Sequence, residues 1–158
     1  MVDNHDEYRP TGLSRTQPNL ITQEGIAGNE TMPDARHNTT LPFTRFLAGP
    51  ADYTPCYFNN RVKATHGHQL AMPVVYYSPI TFLYWYDTPQ LYRGEKELDF
   101  WKHVPTTWDE TYPIDGQIGE YVAIARRSGL KWFVGVMNGM AARTLSLPTE
   151  FLQRGKKY

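Results

Sequence analysis

The sequence predicts an α/β chain: strand-and-loop units with short helices over residues 1–103, then antiparallel β structure over 104–158. Three observations carry that division. The first third is polar and rich in turn residues (Pro10, Gly12, Pro18, Asn19, Gly25, Gly28), with short apolar pieces at Met1-Val2 and Leu20-Ile21-Thr22. The middle holds the longest apolar segment, residues 66–85. From Thr106 onward the residues alternate in character and glycines punctuate them.

Each element follows from its residues. Residues 1–4 read as a buried strand already under way, and Leu20-Ile21-Thr22 as the next. Short strands leading into long loops fit barrel enzymes, where the loops at the C-terminal strand ends carry the chemistry. Residues 38–47 read as a short helix, with Thr39 or Thr40 capping, Pro42 in the first turn and Gly49-Pro50 as the stop. Residues 53–58 read as a strand. Within 66–85, Leu70, Val74, Tyr77 and Thr81 recur near the helical period, while Pro73 and Pro79 predict a kink or break. Residues 95–101 suit one or two helical turns. Past a boundary near 103, residues 121–126, 131–137 and 143–147 read as three strands, with Ser128-Gly129 as the first turn. The chain starts inside a strand and stops at Lys156-Lys157-Tyr158 with no closing element, which predicts a fragment.

Composition narrows the function classes. Apolar residues make up 41% and charged residues 20%, the balance of a folded globular chain. Sixteen basic and 16 acidic residues cancel, so no electrostatic reason exists to expect nucleic acid or an anionic membrane. No apolar run approaches the roughly 20 residues of a membrane span, and no signal-peptide pattern opens the chain. Cys56 is the only cysteine, which excludes an internal disulfide and, without a local base, predicts an inert buried thiol. Aromatics reach 14%, including 11 Tyr and 4 Trp. Such rings suit sugar faces as well as core packing.

Two polar clusters could carry chemistry. His5, Asp6, Glu7, Arg9 and Arg15 follow the first strand, and Glu24 to Glu30 follow the second. Glu24 and Glu30 lie six residues apart across a glycine-containing turn and can converge. Glycosidic cleavage needs such a pair: one carboxylic acid protonates the leaving oxygen, and a second carboxylate attacks or activates water. Carboxylate oxygens also suit calcium. Plainer readings stand beside these: surface acids are common, His5 can hydrogen-bond a neighbouring carboxylate structurally, and Arg9 and Arg15 can be ion-pair partners. His66 and His68 would share a face on a strand, as zinc ligands sometimes do, yet no acid or cysteine sits at a matching interval.

The string His5-Asp6-Glu7-Tyr8-Arg9-Pro10-Thr11-Gly12, then Ser14-Arg15-Thr16, Pro18-Asn19, Gln23-Glu24-Gly25 and Gly28-Asn29-Glu30, resembles the catalytic region of glycoside hydrolase family 97. Asn38-Thr39, Leu41 to Arg45, His68 to Ala71, Pro105 to Thr111, Gly119-Glu120-Tyr121 and Ala125-Arg126-Arg127 continue the resemblance in order. It implies the C-terminal part of a (β/α)8 barrel over 1–103, then an incomplete antiparallel C-terminal β domain over 104–158. It also implies an exo-acting α-glucosidase or α-galactosidase, in the periplasm or secreted, acting on an oligosaccharide or α-glycoside substrate. By the same resemblance Glu30 is the catalytic acid, His5 and Arg9 bind substrate, and Glu24, Glu30 and Asp6 surround a calcium ion. Inverting members carry glutamate at position 6 as general base. Asp6 is one methylene shorter, so the retaining branch is expected, with its aspartate nucleophile on an earlier strand outside this sequence. Two alternatives are a non-catalytic carbohydrate-binding or structural remnant, and a metalloenzyme using His5, His66 and His68. Lacking that nucleophile, the isolated 158-residue chain is expected to be inactive and aggregation-prone.

Overall fold

The computed structural model describes residues 1–5, 9–83 and 87–158. Asp6, and the end of the apolar segment at 84–86, lie outside the described residues.

Strand β1 (Val2–Asn4) pairs in parallel with β2 (Leu20–Gln23), with a bulge between Val2 and Asp3. Ala51 continues the array, bridging Gln23 in parallel. Parallel neighbours require crossovers. The first crossover carries a 3-10 turn at Leu13–Arg15, and the second carries helix α1 (Ala35–Thr40). β1 is a strand as expected but not a buried one, since Val2 keeps 43% of its surface exposed. The strand expected at 53–58 does not form: the parallel bridge is at Ala51, just before it, and residues 53–58 carry no ladder.

The first helix starts earlier than its pattern suggests. Asp34 caps it by accepting from the His37 N–H at 2.8 Å. Thr39 and Thr40 sit inside it, donating their hydroxyls back to Ala35 O (2.9 Å) and Arg36 O (2.8 Å), so neither is a cap. Beyond Thr40 the chain tightens into 3-10 turns at Leu41–Phe43 and Arg45–Ala48, then stops at Gly49 with φ 123°, a conformation only glycine holds easily. Helix α2 (His66–Val75) is capped by Thr65 and carries Pro73 inside it. It ends well before Pro79, with Tyr76 already extended. A 3-10 turn at Lys96–Leu98 leads into α3 (Asp99–His103).

The C-terminal region is an antiparallel sheet of β3 (Glu110–Gln117), β4 (Tyr121–Ser128) and β5 (Lys131–Asn138), in the order β3-β4-β5. Gly129, at φ 59°, closes the tight β4–β5 turn. The expected strand at 143–147 is irregular, and the sheet's first strand is instead β3, which is largely solvent-exposed. Its alternation is short, Tyr112 and Ile114 on either side of Pro113, and pairing with β4 makes it a strand.

On β5 the alternate residues Phe133, Gly135 and Met137 point inward. Gly135 is where α2 meets the sheet: a Cβ there would lie 2.9 Å from Val74 Cβ and 3.1 Å from Ala71 O. Leu41, Tyr53, Met72, Val75, Tyr76, Val122 and Met137 form one core, so apolar packing runs unbroken across residue 103. Tyr57, Leu98 and Trp101 form a second cluster under the loops.

Candidate active site

Each of the three parallel positions releases a polar residue at its C-terminal end. His5 follows β1, Glu24 follows β2 and Asp52 follows Ala51. Backbone bonds hold them level: Glu24 N–H donates to Asn4 O (3.1 Å) and Asp52 N–H to Gln23 O (3.3 Å). The side chains therefore meet. His5 Nδ1 lies 2.9 Å from Asp52 Oδ2, and His5 Nε2 lies 3.6 Å from Glu24 Oε1. Asp3, one turn of the pleat before His5, completes a group in which Asp3, His5 and Asp52 place ligand-type atoms within 4.8 Å of one another.

Burial sets the electrostatics. Asp52 is fully buried, and desolvation together with the neighbouring Asp3 carboxylate pushes its carboxyl up to about 6, against the opposing pull of His5. Desolvation likewise raises Asp3. Burial alone would lower His5, but Glu24, Asp52 and Asp3 together outweigh it and raise the imidazole above its ordinary value.

Arg45 supports the strand ends from beneath. Its buried guanidinium donates to Gln23 O (2.9 Å), Glu24 O (3.0 Å) and Pro50 O (3.1 Å) through Nη2, and to Gly49 O (3.0 Å) through Nη1. It thus ties the end of β2 to the approach of the next parallel position. Burial lowers its pKa from the usual guanidinium value.

Glu30 lies on the 3-10 turn Asn29–Thr31. Its side chain is exposed, and Oε1 accepts the Gly28 N–H at 2.7 Å. The turn is anchored by Asn29, whose buried amide donates to Thr54 O (2.9 Å) and Gln69 Oε1 (3.0 Å). The Tyr53 hydroxyl lies within hydrogen-bond reach of Asn29 Oδ1 (3.2 Å) and Asn38 Oδ1 (3.0 Å). A solvent-facing acid on a rigid stem suits proton delivery to something bound outside it. Arg9 is exposed on the loop beyond β1. Sequence reasoning singled out His5, Glu24 and Glu30 but not Asp52, Asp3 or Arg45. The only signal for Asp52 was an acid directly after Gly49-Pro50-Ala51.

His66 and His68 do not share a face, because they lie on a helix, where residues two apart diverge. His66 is exposed and stacks on Tyr57 at 4.0 Å between ring centres. His68 is buried, with Nε2 3.3 Å from Asn38 Nδ2, and burial pushes it down to about 4. The unfolded chain takes up this proton near pH 6.5 and the native state only near 4. Stability from this group is therefore complete above pH 6.5 and is lost as pH falls towards 4, by on the order of 3 kcal/mol. Asp52 contributes in the opposite sense over a similar window. Denaturation of wild type and His68→Gln across pH 4–7 separates them: the difference between the two curves should carry the His68 slope, and a flat difference would refute it. Cys56 is fully buried, its N–H donating to Gln69 Oε1 at 3.0 Å.

The sequence profile described as "Glycosyl-hydrolase 97 C-terminal, oligomerisation" matches residues 107–158. A retaining alpha-galactosidase of Bacteroides thetaiotaomicron is 36% identical, over 96% of this chain and 26% of its own length. A probable retaining alpha-galactosidase of Streptomyces bingchenggensis is also 36% identical, over 94% of this chain and 24% of its own length. The chain thus spans about a quarter of these relatives. Among solved structures, a family 97 glycoside hydrolase from a Pseudoalteromonas species, in complex with acarbose, superposes with a TM-score of 0.85 at 34% identity, covering 97% of this chain and 26% of that one. A variant of the same enzyme in complex with panose superposes equally well at 33% identity, with the same coverage. Sequence motifs, local strand arrangement and solved relatives agree over nearly the whole length: the chain belongs to glycoside hydrolase family 97.

Proposed function

We propose that this chain supplies the acid-bearing sector of a (β/α)8 barrel in a retaining exo-α-glycosidase that releases terminal α-linked galactose or glucose. The observation that carries the proposal is the convergence of His5, Glu24 and Asp52 at the C-terminal ends of three neighbouring parallel strand positions. That is where barrel enzymes assemble their sites. The names of the curated relatives favour galactose, while the acarbose and panose complexes favour glucose.

In this reading Glu30 protonates the departing oxygen and later deprotonates the attacking water. His5 and Arg9 contact the sugar. The nucleophile is an aspartate from an earlier barrel strand outside this sequence, about 5–5.5 Å from the acid in a retaining arrangement. Glu24, Glu30 and Asp6 offer carboxylate oxygens, the donor type that calcium prefers; a bound calcium would fix the site and polarise sugar hydroxyls. The word oligomerisation in the description of the profile matching residues 107–158 supports a role of this region in assembly. We also propose a periplasmic or secreted location, a reading that leans on the family resemblance.

The test uses the protein in which this chain is joined to the rest of the barrel. It is offered nitrophenyl α-galactoside and α-glucoside, and the first-formed sugar is read by proton NMR. Release of the α-anomer supports the proposal and the β-anomer refutes retention. Sugar binding without turnover would make the protein a carbohydrate-binding one. The isolated 158-residue chain should hydrolyse neither substrate.

A further inference from the structure

The turn that carries Glu30 is held from behind by one side chain of α2. Gln69 is buried, and its Oε1 accepts two N–H bonds: one from Asn29 Nδ2 at 3.0 Å, the other from the Cys56 backbone at 3.0 Å. A single oxygen thus joins the residue before Glu30 to the segment after Ala51. Asn29 Nδ2 spends its second hydrogen on Thr54 O in that same segment, at 2.9 Å. The oxygen of Gln69 is placed by a helix: the Gln69 N–H donates to Thr65 O at 3.1 Å, and Thr65 caps α2. Sites built on helices are more precise than sites built on loops. The other end of the same amide is wasted. Gln69 Nε2 is buried and makes no hydrogen bond among the described residues. An orphaned buried donor is costly and calls for a reason. The reason on offer is the oxygen beside it.

Resting on the glycosidase reading, we propose that Gln69 is a positioning residue: from α2 it fixes Asn29, and so sets where the Asn29–Thr31 turn presents Glu30 to the glycosidic oxygen. Gln69 touches no substrate atom. Its effect on the reaction passes through the placement of the turn.

Two substitutions separate the oxygen from the nitrogen. Gln69→Met removes the acceptor at similar volume. Gln69→Glu keeps an acceptor oxygen and gives up only the nitrogen that has no partner. In the complete barrel, Gln69→Met should lower kcat/KM for α-glycosides with poor leaving groups by roughly 10–100-fold. The loss should fall on kcat, with KM within about threefold of wild type. Dinitrophenyl glycosides should lose less, and Gln69→Glu should recover most of the activity. In a Glu30→Gln background Gln69→Met should cost nothing further, since no acid is left to place. Equal loss on all leaving groups, or a loss that adds to that of Glu30→Gln, overturns the proposal. Hydrogen–deuterium exchange gives a readout that needs no activity. The Thr31 and Met32 amides, bonded to Gly28 O and Asn29 O at 3.1 Å, should exchange about tenfold faster in Gln69→Met, with the α2 amides unchanged. Unchanged exchange at Thr31 and Met32 refutes the positioning role whether or not wild type hydrolyses a glycoside. Wild type without turnover of any α-glycoside refutes the glycosidase reading and this proposal with it. An active wild type that Gln69→Met matches on poor leaving groups refutes the positioning role alone.

Discussion

Glu30→Gln in the complete barrel should reduce hydrolysis of α-glycosides with poor leaving groups by roughly 10²–10⁴-fold. Substrates with good leaving groups, such as dinitrophenyl glycosides, should lose far less, because their departing oxygen needs little protonation. Glutamine keeps the size and the acceptor oxygen of Glu30, so the contact with the Gly28 N–H at 2.7 Å can persist and the turn should survive. The supports of that turn do not involve the Glu30 carboxyl: they are the bonds of Asn29 to Thr54 O and Gln69, with Tyr53 behind them. The loss should thus be chemical and not structural. The measurement is kcat/KM on a leaving-group series. An equal loss on good and poor leaving groups would remove Glu30 from the role of acid.

Arg126→Met should be the most damaging substitution for stability, at about 3–5 kcal/mol, or on the order of 10 °C in Tm. Arg126 is buried in β4 and ties the sheet to the end of α2. Nε donates to Val74 O at 2.6 Å, one Nη to Val75 O at 3.3 Å, and the other to Thr111 Oγ1 on β3 at 2.9 Å. The last carbonyls of a helix have no partners of their own and carry partial negative charge. A guanidinium there satisfies two of them, and its plane also lies 5.9 Å from the Trp108 ring and 5.6 Å from that of Tyr77. Burial pushes the Arg126 pKa down to about 10, so the group remains charged at neutral pH. Methionine fills similar volume but orphans both carbonyls. Lysine should recover only part of the stability, because one ammonium cannot reproduce the fork. Denaturant unfolding reads the effect, and a Met variant as stable as wild type would refute the strap.

Local elements were legible where a pattern was local. Leu20-Ile21-Thr22 lies within β2, residues 131–137 lie within β5, and the Ser128-Gly129 turn is at the expected place because glycine supplies the positive φ it requires. Thr39 and Thr40 misled because threonine caps helices and also bonds back to carbonyls inside them; Asp34, further upstream, took the cap. His66 and His68 misled because their meaning depends on period, and the segment is a helix. β3 escaped because its side chains mostly face water, so its strand character lies in the ladder to β4.

The sequence by itself determined the kinds of chemistry available: carboxylates at 24 and 30 on either side of a glycine turn, a histidine after the first strand, and a run of family 97 motifs in order. Only the tertiary structure decided which of them meet. His5 and Asp52 are 47 residues apart and share no local pattern, yet parallel pairing brings them to 2.9 Å. Glu24 and Glu30 are six residues apart, yet different elements hold them: the end of β2 sets Glu24 beside His5, and a 3-10 turn anchored by Asn29 exposes Glu30. Spacing along a chain fixes neighbours only within one helix or strand. Across elements, backbone hydrogen bonding and the shared core choose them.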